Sequence, residues 1–221
     1  MAQAGERLVY RNAVKSMIRA GVDPKSAVLS QSYLRFEQLI SSTKTQYQFG
    51  VLVNDTGNSN VAVRPTEQRL NLQDSFYVSS IQILLGSAAS ATDTSFPLYT
   101  YNNQNVFNTA NYANFFNLYN SKLTLTVNNK NIATAWDCFR HYVIPQTQFT
   151  AAAVAATTAL TQIDGGTGGS YDCEPNWVLI GSKNNVLQIN LPNAISPAAS
   201  TFPYICIIMR GVLAQNVTVV S

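Results

Sequence analysis

Only one histidine, His141, is available to the chemistry of this 221-residue chain. A single imidazole cannot build a multi-histidine metal site or a pair of histidines working as acid and base. Cys138 precedes it by three positions in Asp137-Cys-Phe-Arg-His and is the thiol best placed to use it as a base. Read as a strand, that spacing sends the two side chains to opposite faces. The expectation is a buried thiol and a hydrogen-bonded imidazole, not a nucleophile with its base. Cys173 and Cys206 complete an odd set of three with no C-x-x-C spacing, so neither a disulfide framework nor a zinc site is indicated. No G-x-S-x-G, P-loop or G-x-G-x-x-G occurs. Gly165-Gly166 and Gly168-Gly169 lack the following Lys-Ser/Thr of a phosphate cradle. Carboxylates are few and none pair conspicuously, so a β-sandwich hydrolase is the weakest reading. No catalytic residue and no resident cofactor are assigned.

Three other groupings carry chemistry of a binding kind. Asp164, Asp172 and Glu174 flank the glycine-rich stretch and could offer oxygen ligands to calcium, although the spacing is not that of an EF-hand. Between Pro97 and Tyr119, aromatic residues (among them Tyr99, Tyr101, Phe107, Phe115 and Phe116) alternate with asparagines. That mixture suits half-buried strands and a subunit interface, or else a carbohydrate-binding face. Arg7, Arg11, Lys15 and Arg19 recur every four residues and form one basic stripe on a helix. Val9, Tyr10, Ala13, Val14 and Met17 fall mostly on the other side, with Gly21 as the helix stop. Such a helix can meet the phosphates of an anionic membrane or a genome, or simply pack on its own domain with a solvated basic face.

The elements that position these residues are strands. Period-two alternation begins after Ser30: Leu34, Phe36; Tyr47, Phe49, Val51; Ile81, Ile83, Leu85; Leu123, Leu125, Val127; Leu187, Ile189; Ile205, Ile207, Met209. Asparagine-rich turn signals separate them, including Asn102-Asn103, Asn128-Asn129 and Asn184-Asn185. The texture predicts fourteen to sixteen short strands in an all-β protein. Charged residues are 11% of the chain, against about 25% in an ordinary soluble domain, while asparagine reaches 22. Up to Thr45 there are seven Lys/Arg and three Asp/Glu; beyond it the body is nearly neutral. No apolar run approaches the length of a membrane span, and the N-terminus carries no signal-peptide h-region, which points to synthesis in a host cytoplasm. The sequons at Asn54 and Asn216 carry little weight in that setting.

A repeat is also suggested. Ser32-Tyr-Leu-Arg-Phe and Ser121-Lys-Leu-Thr-Leu open similar units, and Arg69-Leu-Asn-Leu before Phe76 parallels Gln188-Ile-Asn-Leu-Pro before Phe202. The predicted architecture is a helical arm over 1–30 and two tandem eight-stranded jelly rolls over 31–120 and 121–221. With its basic arm, low charge and lack of catalytic groups, the chain resembles the double jelly-roll major capsid proteins of tailless, membrane-containing icosahedral bacteriophages, in the compact form of small lipid phages of Flavobacterium. The resemblance implies a homotrimeric, pseudo-hexagonal capsomer in a virion, standing on an internal membrane with Arg7, Arg11, Lys15 and Arg19 facing membrane or genome. It implies self-contacts and other capsid, penton and membrane proteins as partners, with no sequence-specific nucleic acid and no small-molecule substrate. The alternative is a single β-sandwich serving as a virion spike or glycan-binding adhesin, with Tyr99 and Tyr101 on the sugar face.

Overall fold

The computed structural model describes residues 2–55, 64–90, 92–100, 113–142, 170–197 and 202–219. Helix α1 spans Ala2–Arg19. It is followed by β1 (Val22–Asp23), β2 (Val28–Leu39), β3 (Gln46–Phe49), β4 (Ser75–Ala88) and β5 (Leu98–Thr100). Then come α2 (Ala113–Tyr119), β6 (Lys122–Val127), β7 (Lys130–Asp137), α3 (Phe139–Tyr142), β8 (Ser170–Ile180), β9 (Asn185–Asn190), β10 (Phe202–Gln215) and β11 (Thr218–Val219). The described residues are mostly β-strand, with the arm and two short helices as their helical parts.

Two sheets face each other. One has the order β2-β10-β4, with β8 and the short β5 sharing the far side of β4; the other is β3-β9-β6-β7. Among the described residues the strand-to-strand pairings are antiparallel, and four of them are nested: β2 with β10, β3 with β9, β4 with β8, and β6 with β7. First pairs with last and second with second-last, which is a long hairpin rolled into an eight-stranded jelly roll. Alternate side chains point inward. Phe36, Ile83, Leu85, Ile205 and Ile207 from one sheet meet Tyr47, Phe49, Leu123, Leu125, Leu187 and Ile189 from the other. Each such side chain contributes about 1.5–3 kcal/mol by leaving water. At the β6–β7 hairpin, Asn128 and Asn129 have φ of 50° and 61°, the left-handed pair that a two-residue turn matched to strand twist requires.

The roll differs from the expected tandem pair. Among the described residues, strands from 31–120 and from 121–221 alternate within both sheets, so the two halves do not roll up separately. Eleven strands lie among the described residues. The internal similarity has another cause. β4 and β10 are adjacent central strands, hydrogen-bonded along almost their whole length, and each is buried on both faces. Two-sided burial selects the same near-continuous apolar texture in both, without duplication.

The outer face of the first sheet is covered at both ends. Helix α1 lies over Tyr77, Val178, Ile180, Val212 and Ala214. The segment from Arg64 to Leu70 extends the other end, bridging Arg35 to Gln68 with backbone bonds of 2.9 and 3.0 Å. The second sheet has no such cover among the described residues. Its outward positions are Gln46 and Gln48 on β3, Val186, Gln188 and Asn190 on β9, and Lys122, Thr124 and Thr126 on β6.

Candidate functional site

The arm is the first candidate. Alanine, arginine, methionine and lysine favour the helix, and Gly21 ends it at φ 82°, the conformation expected of a residue just past a helix C-terminus. Ala13 and Met17 are fully buried against the sheet, and Val9 and Tyr10 pack beside them. That contact fixes the rotation of the helix and so decides what faces outward. Arg11, Lys15 and Arg19 are exposed and make no ion pair among the described residues. Arg7 lies on the same helix, but its side chain is outside the described residues. Two apolar residues stand on the exposed face as well: Leu8, 57% exposed, and Ile18, 55% exposed. The positions 8, 11, 15 and 18 follow a three–four spacing, so cations and apolar side chains share one outward stripe. The basic periodicity marks this face in the sequence, whereas its two apolar members break the simple amphipathic pattern and carry no such signal.

At the opposite end of the same sheet lies a charged cluster that the sequence reading did not find. The Glu37 carboxylate, with no side-chain exposure, accepts from Arg35 Nε at 2.7 Å and pairs with Arg35 Nη2 at 2.6 Å. Arg64 Nε stands 3.2 Å from its other oxygen as an ion pair without the alignment of a hydrogen bond. Arg64 also donates to the Tyr204 hydroxyl at 2.6 Å and to the Asp93 carbonyl, and its guanidinium lies over the rings of Tyr204 and Phe96. Glu67 accepts from the backbone N–H groups of Glu37 and Arg64 and from Arg69 Nη2. Every carboxylate here is engaged by arginine or backbone donors, so none is placed to take a proton from a substrate. The cluster clamps the 64–70 segment onto β2. Its sequence trace is Arg35-x-Glu37 beside Glu67-x-Arg69, which reads as ordinary outward alternation until the two segments are known to pair.

Cys138 and His141 form no catalytic pair. His141 sits on α3, not on a strand, which corrects the geometric premise while leaving the expected outcome. Its Nε2 accepts from Trp136 Nε1 at 3.0 Å, and Nδ1 stands 3.4 Å from the Ile83 amide. The Cys138 Sγ points to the Trp136 carbonyl, and burial followed by the charge of Asp137 outweighs a hydrogen bond from Ser121 to push its pKa up to about 11. Burial likewise raises Cys173 and Cys206 to about 12, with Asp172 and Glu37 adding to it. A nucleophilic thiol needs the opposite shift. Around His141, Arg140 stacks on Trp136 at 4.3 Å and Trp136 meets Trp177 edge-on at 5.1 Å, a packed aromatic cluster with Tyr171 on its rim.

The other expected ligands and aromatic residues divide by location. Asp172 is exposed on β8, opposite Ser80, while Asp164 and the side chain of Glu174 lie outside the described residues. Among the described residues no group of three His, Cys, Asp or Glu side chains could hold a metal ion. Tyr99 on β5 packs against the core between the sheets, Phe116 is 64% exposed, and Tyr101, Phe107 and the side chain of Phe115 lie outside the described residues. No helix among the described residues is long and apolar enough to cross a membrane. No protein-family model, no curated protein and no solved structure matches the chain.

Proposed function

We propose that this chain is a structural coat subunit, a capsid protein that assembles with copies of itself into the shell of a virion and lays helix α1 on an anionic inner surface. The observation that carries the reading is the outward stripe of α1, held on a roll whose body is otherwise close to neutral. Jelly rolls serve as shell subunits, lectins and cupins, so the fold alone leaves the choice open. The interior here is apolar and the one histidine is bound to tryptophan, which does not suit a cupin metal centre. Five of the 25 charged side chains (Arg35, Glu37, Arg64, Glu67 and Arg69) are locked in the buried cluster, leaving an outer surface poorer still in charge. A subunit surrounded by copies of itself gains from that neutrality, because side-by-side packing then meets little self-repulsion.

One roll per chain changes the expected capsomer. A pseudo-hexagon from three chains needs two rolls in each, so a trimer of this chain has three lobes, and six lobes need six copies. An internal membrane is the favoured inner partner, since Leu8 and Ile18 between Arg11, Lys15 and Arg19 suit a lipid headgroup boundary better than a DNA backbone. The test is the native mass by light scattering together with flotation on vesicles containing phosphatidylglycerol. Oligomers of three or more copies, and co-flotation lost in R11E/K15E/R19E, are expected. A strict monomer, or retention on duplex DNA with no flotation, overturns the respective half of the proposal. The glycan-binding alternative placed on Tyr99 loses support, because that ring faces the core.

A further inference from the structure

We infer that β2 pairs edge to edge with β2 of a second copy, antiparallel and about a two-fold axis at Gln31. The direction of its backbone groups follows from hydrogen-bond parity. Arg35 exchanges both backbone bonds with Gln68, at 2.9 and 3.0 Å, on the side of β2 away from β10. The Glu37 amide points the same way, to Glu67 Oε1 at 3.1 Å. Peptide groups alternate along a strand, so the N–H and C=O groups of Leu29, Gln31 and Tyr33 point to that side as well. Every residue from Val28 to Tyr33 is at least partly exposed, with Val28 at 62% and Tyr33 at 49%. Large apolar side chains thus stand in water beside a row of outward donors and acceptors, which is the template for adding a strand.

Natural sheets blunt an edge with charge, proline, a bulge or a short strand. The other outer strands of this roll carry such devices. β7 shifts register twice against β6 and carries Lys130 and Asp137; β8 carries Asp172, Glu174 and Pro175. β3 and β5 are four and three residues long. β2 has twelve residues in unbroken register with β10, and neither a charged residue nor a proline occurs from Ser26 to Leu34. A second copy is the occupant that this segment fits. In the register that uses the whole stretch, Gln31 faces the partner's Gln31, Leu29 faces Tyr33, Ser30 faces Ser32 and Val28 faces Leu34. Amide meets amide, hydroxyl meets hydroxyl and apolar meets apolar, the cross-strand pairs that stabilise a sheet. With the axis on an outward residue, the outward groups fall opposite one another and exchange about six backbone bonds. At its ends, Gln68 fills the slot beside Arg35, and the Ala27 amide turns back to the Pro24 carbonyl. An isologous contact of this kind closes on itself, so the edge is used up in a dimer and not in a fibre. The inference goes beyond the coat-subunit reading and does not rest on it, since it requires two copies and no shell.

Sedimentation velocity of the full chain over a range of concentrations tests it, together with amide exchange followed by NMR. The wild type is expected to associate through a dimer, with the Leu29, Gln31 and Tyr33 amides gaining protection as concentration rises. Q31K sets two lysines against each other on the axis and Q31E two glutamates, so each alone should weaken the dimer by about tenfold. Mixing Q31K with Q31E should restore it, because opposite charges then meet. Gln31 is exposed, so both variants should keep the wild-type thermal midpoint; should one fail to fold, the other still carries the repulsion. Association unchanged in both variants, or a mixture no tighter than either alone, overturns the pairing. Where that association is an oligomer of three or more, the coat-subunit reading survives the loss. A monomer whose three amides are protected at every concentration overturns the pairing too and gives the edge to another segment of the same chain. A dimer that responds to the charges but never grows keeps the pairing and removes the shell.

Discussion

Raising the pH from 7 to 10 should destabilise this protein through its buried thiols. Cys138, Cys173 and Cys206 are free and fully buried. Folding lifts their pKa values from 9.0 to about 11, 12 and 12, chiefly by burial. A raised acid pKa means that the folded state keeps its protons while the unfolded chain loses them. The stabilisation is complete below the unfolded value near pH 9 and disappears progressively as pH climbs toward 11–12. Each unit of pH in that window costs about 1.4 kcal/mol per thiol, so at pH 10 the three together remove about 4 kcal/mol relative to pH 7. Against a typical total stability of about 5–15 kcal/mol, that is a large fraction. Burial raises Tyr47 and Tyr204 as well, adding a loss in the same direction at higher pH. Urea unfolding followed by circular dichroism at pH 7, 8, 9 and 10, on the wild type and on C138A/C173A/C206A, separates the two contributions. The variant starts less stable at pH 7, and the gap should close by about 4 kcal/mol at pH 10. A gap that stays constant across the series would falsify the reasoning. Rapid alkylation of the native protein at pH 8 would also refute it, since it would show the thiols to be reachable and ionised.

The other perturbations probe packing and the clamp. Gly211 sits at the bulge where β10 crosses β4, and a Cβ there would fall inside the Tyr77 carbonyl oxygen; Gly211→Ala should lower stability by about 3–5 kcal/mol in urea unfolding, the range of severe core defects. Glu37→Ala strands Arg35 and Arg64 without their buried carboxylate and should cost about 3–5 kcal/mol, while high salt in the same titration should not reproduce the loss. Met17→Ala removes a fully buried side chain under α1 and should cost about 2–5 kcal/mol, with amide exchange accelerating in α1 before it does in β4 or β10. Asn129→Val forces a β-branched residue to φ near 61° and should lower the thermal midpoint, whereas Asn129→Gly should be neutral or better.

What was legible in the sequence was local. Alternation located β2, β3, β4, β6, β9 and β10, Gly21 marked the end of α1, and Asn128-Asn129 marked a hairpin, since each depends on neighbours within a few residues. Pairing was not legible. Arg35 meets Gln68, and Phe36 meets Ile207 across about 170 positions, and no periodicity carries that information. The apparent repeat shows how the error arises. Phe76–Gly86 and Phe202–Gly211 look alike because both run through the middle of one sheet, and likeness of environment passed for likeness of descent. The same blindness hid the Glu37 cluster, because an outward charge on a strand is solvated unless another segment lies over it. On the helix, by contrast, one stripe of spacing fixed the outward cations before any fold was known.

The distribution of charge over the three outer faces argues for a division of labour. The first sheet is the longer one, and both of its ends are roofed, one by α1 and one by the arginine–glutamate clamp. Roofing lets β4 and β10 be apolar on both faces without presenting an apolar patch to solvent. The clamp uses five charges inside the fold, where they orient a loop and contribute nothing to long-range steering. The cations that remain outward on α1 therefore dominate the field at that end, and an anionic surface would approach there. Among the described residues nothing roofs the second sheet, whose outward positions on β3, β6 and β9 are mostly amides and hydroxyls alternating with core residues. Its outward charges, Lys122 beside Asp137, are opposite in sign, so it does not compete with α1 for an anionic surface. Reversing the charge of Arg11, Lys15 and Arg19 should therefore abolish vesicle flotation, while Thr124→Ala with Gln188→Ala on the second sheet should leave it intact. Loss of flotation in the Thr124→Ala/Gln188→Ala variant would show that the anionic surface is met by the second sheet as well and would end the argument for α1 alone.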